Sequence, residues 1–239
     1  MLQLKIFEDP KVRARADRWF FFGMAVIIVV MDGYGFYRAF TKTNMLEELH
    51  SVWVRWHVLF FTSWIFIFLA QTALVASNRV DLHRKFGIAG VVDCGLMIAI
   101  TVGGAVSAFV NSVPRSAFDH FMLHVVVHVD AIDFAILAIA GILHRNKDSD
   151  IHKRLMFMAT VVVAARFPFI GRLFGTGWHH YVDQDAFLLV GVLYDLITRG
   201  RVNKAYIWGG LIFVLMPPAA DLSFRYLVPH LMAVQPSLP

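Results

Sequence analysis

The sequence predicts an all-α integral membrane bundle of about seven transmembrane helices, amino terminus in the cytoplasm and carboxyl terminus outside. Three observations predict it. Of the 239 residues, 58% are hydrophobic and only 16% charged, whereas a soluble domain of this length carries about a quarter charged residues. The apolar residues fall in blocks of about twenty, the length a helix needs to cross ~30 Å of hydrocarbon. Lys and Arg gather in alternate linkers, as the positive-inside rule requires.

Residues 1–18 form a basic cytoplasmic segment with Lys5, Lys11, Arg13, Arg15 and Arg18. It lacks a small-residue cleavage site, so the first apolar block reads as a retained span. The transmembrane domain covers 19–228, with spans at 19–40, 54–77, 86–110, 118–143, 153–174, 183–199 and 205–228, followed by an external tail at 229–239. No water reaches the hydrocarbon layer, so each block must satisfy its own backbone and is a helix. The second linker holds Arg79, Arg84 and Lys85, the fourth Arg145, Lys147, Lys153 and Arg154, and the sixth Arg199, Arg201 and Lys204. The other side has only Arg38, Lys42, Arg55, Arg115, Arg172 and Arg225. Basic linkers are therefore assigned to the cytoplasmic face of the membrane. The net charge of +5 reflects this topology, with membrane lipids rather than nucleic acid as partners. A single cysteine, Cys94, excludes an intrachain disulfide. A retinal Schiff base needs a lysine deep within a helix, and all seven lysines lie in linkers or at helix ends.

Ionisable groups at membrane depth are site candidates because each is expensive unless paired. They are Asp32, His57, Asp93, the fourth-span group, Arg166, Asp185, Asp195, Asp221 and Arg225. Asp221 and Arg225, four apart, form a local helix pair. Arg166 is expected to pair with Asp32 or Asp185.

The fourth span reads FDHFMLHVVVHVDAIDF. His120, His124 and His128, spaced by four, form one stripe, with Asp119, Asp130 and Asp133 on the other side. Two adjacent histidines at this spacing can hold one metal ion. All three cannot, because the outer two are ~12 Å apart. Taken singly, a histidine here more often hydrogen-bonds an aspartate or meets a headgroup than binds a metal. Together with His57 from the outer end of the second span, the stripe predicts that His57 lies close to His124 or His128, with a cofactor or polar cavity between.

Val54–Gly90 (with LHRKFG), HKRLM (His152–Met156) and YDLITRGRV within Tyr194–Gly210 resemble a widespread family of small bacterial multi-spanning membrane proteins. That resemblance implies the fold and a multi-pass place in the bacterial inner membrane, and no activity. The alternation of histidines is similar to that of helical b-type transmembrane cytochromes, in which histidines of alternate helices pair to hold two haems. By that resemblance His57 and the stripe would hold an outer group, and His83 and His152 an inner one. Those last two, beside Arg84-Lys85 and Lys153-Arg154, read better as a basic collar for phospholipid headgroups.

The functional expectation is a redox or metal-binding protein of electron transport, holding b-haem or a transition metal (copper, iron or zinc) near the outer face. The alternative is a non-catalytic subunit or assembly factor of a larger membrane complex. A third, lesser reading is a proton pathway through Asp32, Asp93, Asp130, Asp133, Asp185 and Asp195. No catalytic residue is assigned.

Overall fold

A basic, capped first turn starts the chain's first helix well before its apolar block begins. The computed structural model describes residues 7–42, 51–110, 117–164, 179–212 and 214–215, with the backbone alone at 39, 42, 105, 106, 108–110, 117–130 and 179–181. Helix α1 (Pro10–Lys42) opens on proline, whose fixed φ suits the first helical position, and the Asp9 carboxylate accepts the Lys11 N–H at 2.8 Å. Its 33 residues reach about 50 Å, well beyond the ~30 Å hydrocarbon layer. The surplus is the charged start that holds Lys11, Arg13, Arg15, Asp17 and Arg18, so these residues lie outside the span.

Helices α2 (Val52–Ala76) and α3 (Val80–Val110) form a hairpin, closed where Asn78 adopts φ 59°, a left-handed conformation that Asn tolerates. Helices α4 (Ala117–His144) and α5 (Ser149–Ala164) form a second hairpin. The Asp148 carboxylate caps α5 by accepting the N–H groups of Asp150 and Ile151 at 2.9 and 3.0 Å. Helix α6 (His179–Arg199) ends at Gly200, φ 67°, a left-handed helix stop. Helix α7 (204–212) starts at Asn203, whose side chain accepts the Ala205 N–H at 2.9 Å. The fifth and sixth helices begin at 149 and 179 rather than 153 and 183, because caps and polar first turns extend helices beyond their apolar blocks.

Three of these helices are long and apolar enough to cross a membrane, over Pro10–Arg38, Val52–Ala76 and Val80–Gly104, and Ala131–His144 is a shorter apolar helix. Their outer faces expose large apolar side chains such as Phe66, Ile88 and Val102, which suits contact with lipid.

Trp64 centres the core. Its ring meets Phe134 edge-on at 4.9 Å, and its indole N–H donates to Thr160 Oγ1 at 3.2 Å, so α2, α4 and α5 converge there. Close approaches fix the hairpins. A Cβ on Gly103 would lie 2.6 Å from the Trp53 ring, and one on Gly141 would lie 2.7 Å from Met156 Sδ. Ser63 meets Asp93, and Gly87 faces Gln71, so α2 and α3 run antiparallel.

Candidate functional site

Polar chemistry concentrates at the basic end of the bundle, where the starts of α1, α3 and α5 meet the ends of α2, α4 and α6. Arg154, on the first turns of α5, is fully buried. Its Nε donates to Asp195 Oδ2 at 2.9 Å, its Nη2 to Asp195 Oδ1, and its Nη1 to the Asp150 carbonyl at 2.7 Å. The Tyr206 ring stacks 5.7 Å from the guanidinium carbon. Asp195 also accepts the Asn203 N–H at 3.1 Å, which ties the start of α7 to the pair.

A second acid, Asp17, accepts from Lys153 and Arg199 at 2.5 Å each and from the Tyr194 hydroxyl at 2.8 Å. Burial alone would raise the Asp17 carboxyl. The hydrogen bond from Arg199 and the charge of Lys153 outweigh it and hold the group down at about 2. Asp150, half-exposed beside Lys153 and Arg154, is also held below the usual carboxylate range, burial being the opposing effect. This network joins α1, α5 and α6 with every charge partnered, which makes it a latch between helices.

Beside the latch lies a histidine pair. His83, on the first turn of α3, and His152, on the first turn of α5, have ring centres 6.4 Å apart at 74°. The Gly141 carbonyl lies 2.8 Å from His152 Nδ1. A carbonyl only accepts, so Nδ1 carries the proton and Nε2 keeps its lone pair. Burial pushes His152 below the usual imidazole range, so the ring is neutral at pH 7. Gln71 abuts His83. With its oxygen accepting the Gly87 N–H at 2.8 Å, its amide nitrogen donates to His83 Nδ1 at 2.5 Å. The two histidines read from sequence as separate members of a headgroup collar are thus brought together and partly buried.

At the other end His57 stacks on Phe61, ring centres 3.8 Å apart. Register places the stripe relative to it. Trp64 of α2 meets Phe134 of α4. Gln71 of α2 is level with Gly141 of α4 through the His83–His152 contact. At both levels the α4 number exceeds the α2 number by 70, so the helices run parallel and His57 is level with residue 127. His128 stands at that depth and His124 one turn further out. The side chains of His120, His124, His128 and Asp130 lie outside the described residues, as does Arg166.

Asp32 and Asp133, both read from the sequence as intramembrane candidates, are buried. Asp185 is exposed, and its neighbour Asp183 is fully buried instead, because α6 turns Asp183, Gln184 and Phe187 inward and leaves 185 on its outer side. Asp17, Arg154, Tyr194 and Gln71 were not singled out from sequence. Only Asp17 left a signal, as the lone acid among Arg13, Arg15 and Arg18. Among the described residues no group of three His, Cys, Asp or Glu is placed to share a metal ion. No family model, curated protein or solved structure matches the chain.

Proposed function

We propose that this chain is a redox or metal-binding protein of the bacterial inner membrane, its amino terminus cytoplasmic, that holds a transition metal or b-haem through histidines of alternate helices. The observation that carries this reading is the His83–His152 pair. Two neutral-range imidazoles from different helices stand with ring centres 6.4 Å apart, one of them oriented by a backbone carbonyl in the manner of a metal ligand fixed by its outer partner. The parallel register of α2 and α4 supports a second, outer position at His57 with His124 or His128.

A bound copper, iron or haem would supply one-electron transfer. The chain's own residues do the rest. Gly141 fixes the His152 tautomer, and Trp64 and Phe134 separate the two levels with a dry aromatic layer. Gln71 sets the tautomer of His83: with its amide nitrogen donating to Nδ1 the proton sits on Nε2, and a metal at Nε2 would require the proton on Nδ1 with the Gln71 oxygen as its acceptor.

The deciding experiment is the absorption spectrum and metal content of the purified protein, compared with His152→Ala and with the His124→Ala/His128→Ala double variant. The expected result is a bound metal or a sharp haem band, reduced in each variant while helical circular dichroism is unchanged. A colourless, metal-free wild-type protein refutes the reading and leaves the non-catalytic subunit as the better account.

A further inference from the structure

The latch leaves cations at the basic end of α1 that it does not use. At about 100° per residue, Lys11, Arg15 and Arg18 fall on one side of α1, and Trp19, Val26 and Val30 continue that side into the apolar block. Lys11 and Arg15 are exposed, and so are Trp19, at 54%, Val26 and Val30. Asp17 stands on the far side of the helix, where Lys153 and Arg199 hold it.

A second element meets this stripe. Arg18 Nη1 donates to Asn78 Oδ1, which sets the α2–α3 turn against α1 with the exposed Arg79 next in the chain. Among the described residues no carboxylate pairs with Arg15, Arg18 or Arg79. Asp81, two residues past Arg79, shares its side of α3 with Lys85, four positions on. Arg18 directly precedes Trp19, the first residue of the apolar block. The cluster therefore stands at the membrane–water plane, with Arg15 one turn into the water and Trp19 at the headgroup level that its ring favours.

The charge commits this surface to an anion, and its depth decides which kind. An acidic protein would meet the cations from the water and leave the apolar strip beneath them uncovered. A phospholipid covers both at once: its phosphate accepts from guanidinium groups, and its acyl chains run down the strip. A net negative headgroup adds attraction to each cation near the surface. Asn78 already holds the Arg18 guanidinium, so binding orders one fewer long side chain.

We propose that α1 and the α2–α3 turn form a seat for one anionic phospholipid, its phosphate held by Arg15, Arg18 and Arg79 and an acyl chain lying along Trp19, Val26 and Val30. The seat does not depend on a metal at the histidines.

The test is native mass spectrometry of the full chain in mild detergent, titrated with phosphatidylglycerol and, separately, with phosphatidylcholine of the same acyl chains. One phosphatidylglycerol is expected to bind at least tenfold more tightly than phosphatidylcholine. Arg15→Ala/Arg79→Ala, which leaves the Arg18–Asn78 contact in place, should weaken it at least tenfold. Arg84→Ala/Arg201→Ala removes the same charge elsewhere on that end, from exposed positions, and should change affinity less than twofold. Equal affinity for the two lipids overturns the proposal, as does unchanged affinity in Arg15→Ala/Arg79→Ala. Equal loss in the two double variants also overturns it, since the lipid would then answer to overall charge. Displacement of the lipid by inorganic phosphate at matched concentration does so too, because the acyl strip would then contribute nothing.

Discussion

Removing the carboxylate from Asp195 leaves Arg154 as a charge in the wrong place. Arg154 is fully buried, and two of its hydrogen bonds go to Asp195. In Asp195→Leu the Asp150 carbonyl, the edge of Asp150's half-exposed carboxylate, 3.7 Å away, and the face of the Tyr206 ring remain to it. The Asn203 N–H also loses its acceptor. Breaking a buried ion pair from one side costs about 3–5 kcal/mol, and the residual Asp150 contacts place this case toward about 3 kcal/mol. At roughly 2–4 °C per kcal/mol for a chain of this size, the melting temperature should fall by about 6–12 °C. Thermal unfolding in mild detergent, followed by Trp fluorescence, measures it. The companion variant Arg154→Met/Asp195→Leu replaces both charges with apolar groups and should recover most of the loss, since such replacements are often neutral. A single variant within about 2 °C of wild type refutes the reasoning. So would a double variant no better than the single, because the loss would then come from packing and not from a stranded charge.

The Asp17 carboxyl is held at about 2 against an ordinary value of 3.8. Because the folded value is depressed, its stabilisation is complete above about pH 4 and is lost as pH falls toward 2, an effect of about 2 kcal/mol. Asp17→Asn should flatten that part of the stability profile, and an unchanged acid transition would show that the latch contributes nothing. For orientation, single cysteines placed near 80, 148 and 201 in a Cys94→Ala background should resist an impermeant thiol reagent in intact cells. Rapid labelling at 148 would invert the topology.

The sequence determined the class of the protein, because the length of an apolar block and the backbone's need for internal hydrogen bonds leave no choice but a helix at membrane depth. Block lengths located the helices, and caps moved their starts, as Asp148 does for α5. Histidine spacing made the fourth-span stripe visible, since positions four apart share a face of any helix. What lay across from it was not legible. Periodicity reports which face of a helix is apolar and says nothing of which neighbour meets it. His83 and His152 are 69 positions apart and lie at helix starts, where basic neighbours suggest a wet headgroup collar; only the assembly of the bundle, with α3 and α5 both packed on α2 and α4, brings their rings to 6.4 Å. Arg154 likewise reads as one more cytoplasmic cation among Lys147, Lys153 and Arg145. Tertiary structure turns it inward because Asp195, 41 positions on, approaches from α6 and supplies the opposite charge that makes its burial affordable. Pairing between helices decides which polar residues face each other, and that pairing is a property of the assembled bundle.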